Sequence, residues 1–365
     1  MKSLLLLLQL AATDPAKPAE PPPERTAEDP APLGRAAPPT EAGTHGDGRV
    51  RAGLEVFASY TYRNFGKSWF HQFDVPRVHG AIEGEYEHVR GRVVLEAVRS
   101  ASEGALVGVA GDSLVLRIRE GFAAYRPVTP LEISGGVIPT MTVPDLDGTW
   151  MMRAIAASGI ENGGLLPAAD LGAKARVDLP AGYGWVGSAL YDGDGYTSRE
   201  LNRGKSFEGA AEIHPVPALA DGSLKPLGIL ASYVSGSTGA SLARANRLTG
   251  GLLWQGERVR AGAYATYAWG IGQLGTQNGY LVSAFARVEP ILRLLLGARL
   301  DHQNRNVDAT PADRVTSFWL AAGYRVALPL ETFLAFDKTI PTTRAAAEVP
   351  GSEAWQLRVI ARVVF

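Results

Sequence analysis

The sequence predicts an all-β protein, an antiparallel β-barrel of about sixteen strands that crosses a membrane and carries an inward-folded constriction loop. Three observations lead to the barrel. Apolar and polar residues alternate in many runs of about ten residues, turn residues separate these runs, and the chain begins with a candidate secretory segment. In strands that span a bilayer, this alternation places apolar side chains toward lipid and polar side chains toward the lumen.

The composition excludes several classes of protein. The chain of 365 residues contains no Cys, has a formal net charge of -1 and has a pI near 6.6. Without cysteine there is no disulfide framework, thiolate metal site or thiol nucleophile. The balanced charge argues against nucleic acid as a partner, because nucleic-acid binders are usually strongly basic. No apolar stretch reaches the roughly 18 residues that a membrane helix needs.

The N-terminal region is predicted to lie outside the barrel. Residues 1–12, MKSLLLLLQLAA, have the layout of a signal peptide, with a short disordered N-terminus as the alternative. Residues 13–47 contain nine prolines, seven acidic residues and no aromatic residue. Such a segment buries too little apolar surface to fold, so we predict a disordered linker. The barrel is therefore assigned to residues 48–365.

The last thirteen residues, EAWQLRVIARVVF, alternate along their whole length. Trp355, Leu357 and Val359 begin an apolar face that ends on Phe365, and Arg358 lies on the opposite face. This segment resembles the C-terminal signature strand of bacterial outer-membrane barrels. An edge strand of a soluble sheet would show the same alternation.

The body of the chain repeats this pattern, as in Val259–Trp269. A soluble β-sandwich alternates in the same way. Aromatic residues near the ends of the apolar faces favour the barrel, since they match the girdles at membrane interfaces. Dividing residues 48–365 into sixteen strands allows about 20 residues for each strand and its connection, although 14 or 18 strands also fit. Glu120 interrupts one apolar face and predicts either a β-bulge or a different register there.

The alternation stops between Val137 and Ala169, where Thr149–Ser158 is predicted to form a short helix. A long irregular connection inside a compact architecture is usually functional. We predict that it folds into the lumen and places Arg153 at the pore constriction, because a guanidinium stays charged and suits phosphate or carboxylate. The alternative is an outer loop in which Arg153 pairs with Asp170 or Glu161.

Three stretches within residues 131–196 carry a family resemblance: GGVIPTM, WMMRAIAASG and AADLGAKARVDLPAGYGWVGSALYDGDGY. They resemble the phosphate-selective porin family of the porin O and P type. The resemblance implies a sixteen-stranded homotrimeric channel for anions, constricted by its third outer loop. Three positions differ from the family's pattern. Met152 replaces an acidic residue, Ala169 replaces an arginine before Asp170, and Asp192 replaces an asparagine.

The charged residues predict a mild preference for anions rather than strict specificity for phosphate. Candidate lumen acids alternate with the cations and cancel much of the field beyond a Debye length of about 8–10 Å. The cations predicted to line the pore are Arg117, Arg119, Lys174, Arg176, Arg258 and Arg260.

These observations predict a bacterial outer-membrane porin that lets small hydrophilic solutes, chiefly anions and among them phosphate, diffuse passively. Its partners would be outer-membrane lipid and the permeating anions. We predict no enzyme, cofactor or metal site, because the chain lacks an HExxH or G-x-S-x-G motif. Two alternatives stay open. One is a barrel with a plugged lumen that acts in structure or partner binding. The other is a soluble secreted β-sandwich that binds carbohydrate.

Overall fold

The computed structural model describes residues 40–45, 48–65, 68–99, 114–197, 203–216, 222–238, 242–271, 275–348 and 354–365. The predicted signal peptide and residues 13–39 and 46–47 of the predicted linker lie outside this set. Within these residues there is no helix with the length and apolar character needed to cross a membrane.

The protein is built almost entirely from antiparallel strands. In chain order these are β1 (Thr40–His45), β2 (Gly48–Asn64), β3 (Trp69–Tyr86), β4 (Val89–Arg99), β5 (Leu114–Val128), β6 (Leu131–Pro139), β7 (Ala169–Asp178), β8 (Gly184–Tyr191), β9 (Ser206–Ile213), β10 (Leu227–Ser235), β11 (Ser237–Thr238), β12 (Ala243–Arg244), β13 (Asn246–Gln255), β14 (Val259–Ile271), β15 (Gln277–Val288), β16 (Leu294–Asn306), β17 (Asp313–Ala327), β18 (Leu330–Pro341) and β19 (Trp355–Val364). The helices are α1 (Val143–Trp150), α2 (Gly159–Asn162) and α3 (Thr343–Glu348), and Pro180–Gly182 forms a 3-10 turn.

Sixteen strands close into one barrel, as the sequence predicts. They are β2–β10 and β13–β19; each pairs with the next, and β19 returns to pair with β2. β1 pairs with the start of β2, so residues 40–45 form a strand within the segment predicted to be disordered. β11 and β12 pair only with each other.

The C-terminal strand closes the barrel. Trp355 pairs with Asn64, and the backbones of Phe365 and Leu54 exchange hydrogen bonds at 2.8 and 3.1 Å. Because β19 is paired on both sides, it is not an edge strand. This double pairing rules out the alternative in which the C-terminal segment is an edge strand of a soluble sheet.

The period-two alternation separates an outer from an inner face. On β13, Leu248 and Leu252 are exposed on the outside, whereas Arg247 and Thr249 are buried toward the lumen. Alternate side chains of a strand point to opposite faces, so a polar residue between exposed apolar residues marks the inside.

The irregularity predicted around Glu120 is a β-bulge in β5. Val94 pairs with Glu120 but Leu95 pairs with Ile118, which leaves Arg119 as the extra residue. The bulge places Arg119 and Glu120 on the same side, and both are buried. The bulge thus adds a cation to the lumen without exposing Glu120 on the outer face.

Aromatic side chains cluster on the outer face near the end of the barrel with the longer connections. The ring centroids of Tyr62 and Trp355 lie 5.6 Å apart, and those of Tyr267 and Trp269 lie 4.7 Å apart. Such rings are typical of the level at which a barrel meets the lipid headgroups. The longest connection at this end, residues 140–168, joins β6 to β7 and is the third in chain order. We call residues 140–168 the inward loop.

We expect Leu320→Arg to weaken folding into lipid vesicles by about 2–4 kcal/mol, because it puts a charge on the lipid face at mid-membrane. Leu320 is 51% exposed near the middle of β17. Leu224, also 51% exposed, lies in a turn between strands. The measurement is the denaturant dependence of folding into vesicles, with Leu224→Arg as the matched control. Equal effects of the two substitutions would contradict a lipid-facing position for Leu320.

Candidate pore constriction

The inward loop carries helices α1 and α2, but not at the position predicted from the sequence. The prediction of a helix over Thr149–Ser158 is wrong, because α1 covers Val143–Trp150 and turns follow it. Pro144 lies in the first turn of α1, where its missing N–H costs nothing. Met151 adopts a left-handed backbone conformation with φ 52° and ends the helix. Arg153 therefore follows the helix instead of lying on it.

A buried carboxylate holds the start of the inward loop. Glu208 on β9 accepts hydrogen bonds from the backbone N–H of Met141 at 2.9 Å and from that of Thr142 at 3.1 Å. The hydroxyls of Thr142 and Tyr191 also donate to it, at 2.6 and 2.8 Å. These four donors satisfy the carboxylate, and its negative charge lies next to the N-terminus of α1, where the helix dipole favours it.

Side chains of the barrel wall bind the backbone of the inward loop. Each donates to a carbonyl oxygen of the loop, from strands β13, β14, β16 and β19. The pairs are Arg247 with Leu165 at 3.0 Å, Arg260 with Gly148 at 3.3 Å, Gln303 with Gly163 at 3.0 Å, Arg358 with Ile155 at 2.8 Å, and Arg299 with Ala157. The phenol oxygen of Tyr264 accepts from the N–H of Ile160 at 2.9 Å. The loop is thus fixed against one half of the wall.

An apolar core seals this contact. Trp150, Met152 and Ile160 of the loop are buried with Phe285 and Trp319 of the wall. Met152 faces Gly297, and a Cβ atom at position 297 would overlap its sulfur, so a larger residue there would displace the end of the Met152 side chain. Met152 is fully buried and stands where the porin O and P family has an acid. An ionised acid at this apolar site would be costly.

Arg153 lies inside the loop and is paired on two sides. Its guanidinium donates to both carboxylate oxygens of Glu161 at 2.6 Å and also to Asp147. Asp147 in turn accepts from the N–H of Ser158 at 2.9 Å. The side chain of Arg153 is only 2% exposed. The pairing with Glu161 is the one weighed as the alternative, whereas Asp170 accepts from the backbone N–H groups of Leu171 and Gly193 instead.

Burial and charge act in opposite directions on this ion-pair cluster. Burial by itself lowers the pKa of Arg153, but Asp147 and Glu161 outweigh it and raise that pKa above its ordinary value. Burial raises the pKa of Glu161, yet the charge and hydrogen bonds of Arg153 hold it below its ordinary value. Both groups are therefore ionised at neutral pH.

A second cluster of arginines lies on strands β3 and β5, and we call Arg77, Arg117 and Arg119 the wall arginines. Arg77 and Arg117 both pair with Glu96, with Nε to carboxylate oxygen distances of 3.2 and 2.7 Å. Nη1 of Arg119 lies 3.2 Å from Nε2 of His79, which itself lies 3.1 Å from Glu96. Three guanidinium groups thus surround one fully buried carboxylate.

The wall arginines lie near Glu161 of the inward loop. The positive charges of Arg119 and Arg77 contribute to the lowered pKa of Glu161. A cavity of 390 Å³ is lined by Arg77, Arg117 and Glu161, and also by Arg247 on β13. This cavity lies beside the second half of the inward loop, where Arg77 and Arg117 of β3 and β5 meet residues 191–197 and Arg247.

The other predicted pore-lining cations lie at different places. Nζ of Lys174 donates to the carbonyl of Pro139 at 3.1 Å, beside the start of the loop. Arg176 pairs with Asp178 at 3.0 Å and covers the ring of Trp185. Arg260 binds the loop, as described above. Arg258 is exposed in the turn before β14 and does not lie on a strand.

Sequence reasoning missed Arg77 and Arg247. Arg77 follows Pro76 at an irregularity where two strands lose register, which hides the alternation. Arg247 could have been found, because it alternates with Leu248 in the regular β13. In the parts of the chain that the structure describes, no cluster of His, Cys, Asp or Glu could hold a metal ion.

Several bacterial outer-membrane porins share this fold. Salmonella typhi OmpF, from a complex with daunomycin, matches with a TM-score of 0.64 at 12% identity, covering 87% of this chain and 98% of OmpF. The anion-selective porin of Comamonas acidovorans matches with a TM-score of 0.63 at 10% identity, covering 87% of this chain and 100% of that porin. A trimer form of OmpT from Vibrio cholerae matches at 0.57 and 11% identity, covering 88% of this chain and 100% of that chain. No protein-family model and no curated protein matches the sequence.

Identities this low establish the fold alone. The chain has the sixteen-stranded barrel of bacterial outer-membrane porins, and the resemblance seen in the sequence is supported at that level.

We expect Glu208→Gln to loosen the start of the inward loop. The amide keeps one acceptor oxygen and turns an NH₂ group toward buried donors, at a cost of about 1–3 kcal/mol. The expected readout in a planar bilayer is larger open-channel noise with a higher mean conductance.

The control is Glu212→Gln, on the same face of β9 four residues later. Glu212 is also buried but bonds to Gln255 and not to the loop. If both variants, or neither, changed the noise, the assignment of Glu208 as the anchor of the loop would be wrong.

Proposed function

We propose that the chain is an outer-membrane porin through which small hydrophilic solutes diffuse, with a mild preference for anions. The observation that carries this proposal is the position of the wall arginines opposite a loop whose acids are already paired. Passive diffusion needs only a water-filled path and side chains that set its charge, and the fold is that of outer-membrane porins.

Charge around the passage favours anions. The wall arginines and Arg153 supply four positive charges beside the carboxylates of Glu96, Asp147 and Glu161. Arg153 pairs with both Asp147 and Glu161, so these two acids oppose the wall arginines less than unpaired acids would. In a narrow lumen with a low-dielectric wall, the partly exposed charges of Arg77 and Arg117 attract anions more strongly than in open water.

We assign the width of the passage to the inward loop and a supporting role to Arg153. The loop is fixed to the β13–β19 side of the wall, which leaves the β3–β5 side as the path for solutes. Arg153 pairs with both Asp147 and Glu161 and holds the two loop helices together. In this proposal Arg117 and Arg77 meet the solute, since their side chains are 30% and 26% exposed.

Phosphate is one of the anions that we expect to pass, without strict specificity. The resemblance to the phosphate-selective porins rests on the segment that includes the inward loop. At Met152 and Ala169, however, this chain has apolar residues where that family has charged ones. The three arginines around Glu96 attract anions in general and do not form a binding site specific for phosphate.

We also propose an outer-membrane location and a homotrimer. Support comes from the porin fold, and the trimer form of Vibrio cholerae OmpT shows that a barrel of similar fold forms trimers. Chemical cross-linking of the protein in native membranes would test the trimer, with bands at one, two and three chain masses expected.

A plugged barrel that binds a partner is the second candidate. The dense apolar contact between the inward loop and the wall favours it, because the loop fills a large part of the lumen. Single-channel recordings discriminate between the two. Folded protein that produced no conductance steps would support the plugged barrel.

Arg117→Gln is expected to move the reversal potential in a KCl gradient toward the cation side, because it removes an exposed positive charge from the passage. Arg258→Gln is the matched control, since Arg258 is exposed outside the strands. An unchanged potential for Arg117→Gln would contradict the proposed path.

Arg153→Ala should shift the potential further toward cations. The substitution leaves Asp147 and Glu161 without their counter-charge, and it loosens the loop at a cost of about 3–5 kcal/mol. The double variant Arg153→Ala with Glu161→Gln should recover part of the selectivity. Equal selectivity of all three proteins would show that this ion-pair cluster does not border the passage.

A further inference from the structure

Arg247 is a buried cation without a carboxylate partner. It is 8% exposed, and its hydrogen bonds all go to backbone carbonyls. Nε donates to Leu165 at 3.0 Å, Nη1 donates to Asn246 at 2.8 Å and to Trp269 at 3.0 Å, and Nη2 lies 3.5 Å from the oxygen of Gly270. None of the acids in the described parts of the chain forms a salt bridge with it.

This arrangement orients the guanidinium and leaves its charge uncompensated. The carbonyls of Leu165, Asn246 and Trp269 use three of the five N–H groups of Arg247. The remaining N–H groups are on Nη2, which has only the long contact. Burying an uncompensated charge is unfavourable, so an anion that can reach Nη2 is attracted more strongly than by an arginine in a salt bridge.

Arg247 lines the same cavity as Arg77 and Arg117. The acids on its surface are largely engaged elsewhere. Glu161 pairs with Arg153, and Asp170 accepts from backbone N–H groups, while Asp194 is the third acid in the lining. Arg77 and Arg117 already pair with Glu96, so within the described residues Arg247 is the arginine of this lining whose charge no acid compensates.

The size of the cavity indicates the kind of anion. Its 390 Å³ lies within the range of about 300–1,000 Å³ that holds small organic molecules, whereas phosphate or chloride would fill only a small part of it. The ring of Tyr196 and the side chain of Leu166 add apolar surface, which suits a carbon skeleton rather than a bare ion.

We propose that this cavity is a binding subsite for a small organic carboxylate, whose carboxylate group pairs with Arg247 while Arg77 and Arg117 supply further positive charge. A solute held here is concentrated at the entrance to the constriction. The inference rests on the proposed function for its physiological meaning, but the binding itself can be measured without conduction.

The experiment is isothermal titration of the detergent-solubilised full chain with glucuronate, with glucose as the uncharged match and inorganic phosphate as the small anion. We expect saturable binding of glucuronate, at least about tenfold weaker binding of phosphate, and no binding of glucose. Absence of glucuronate binding to the wild-type protein, or equal binding of glucose, would overturn the proposal.

The variants test the role of Arg247. Arg247→Gln should weaken glucuronate binding at least about tenfold, and Arg247→Lys, which keeps the charge, should recover part of it. Arg258→Gln should bind like the wild type. Heat-modifiable gel mobility shows whether each variant is folded. A folded Arg247→Gln variant with unchanged affinity for glucuronate would contradict the role of Arg247 in binding.

Bilayer recordings separate this proposal from the proposed function. Wild-type channels with an anion-sided potential but no glucuronate binding would overturn the subsite alone. Binding by folded protein that shows no conductance would keep the subsite and overturn the porin. If phosphate bound as tightly as glucuronate, the site would be a general anion site and the organic class would be wrong.

Discussion

The inward loop can lie at membrane depth only because the barrel wall satisfies its backbone. Irregular chain has no internal hydrogen-bond ladder, and unpaired buried carbonyls cost too much to persist. Here arginines and a glutamine reach across from the wall to the carbonyls of the loop, and Glu208 accepts from its first N–H groups. The position of the loop, the closed half of the lumen and the location of the open cavity all follow from these bonds.

The same bonds divide the arginines of the lumen into two groups. Arg299 on β16 and Arg358 on β19 are engaged by loop carbonyls and by Asp301 and Asp337, so they serve structure. Arg77 on β3 and Arg117 on β5 share Glu96 and, with Arg247 on β13, line the cavity. A list of inward-facing cations therefore overstates the charge at the cavity, because an arginine paired with both a loop carbonyl and an acid adds little to it.

At Met152 and Arg153, the contacts within the inward loop differ from what the resemblance to the phosphate-selective porins implies. Met152 fills the apolar space beside Gly297, where an ionised acid would be costly to bury. Arg153 meets two acids of its own loop, Asp147 and Glu161, instead of an open lumen. One guanidinium thus links two carboxylates within the loop and joins α1 to α2.

The sequence by itself predicted the barrel, a strand number near sixteen, an irregularity at Glu120 and the segment that leaves the wall. These depend on period-two alternation and on its interruptions, which are local and survive in any tertiary context. It could not determine where helix α1 begins, that Arg153 is paired, or that Arg77 and Arg247 border the cavity. Those outcomes depend on partners far apart in the chain, such as Glu208 for Thr142 and Leu165 for Arg247. Only closure of the barrel brings these partners together, so the tertiary structure alone decided which charges face the cavity.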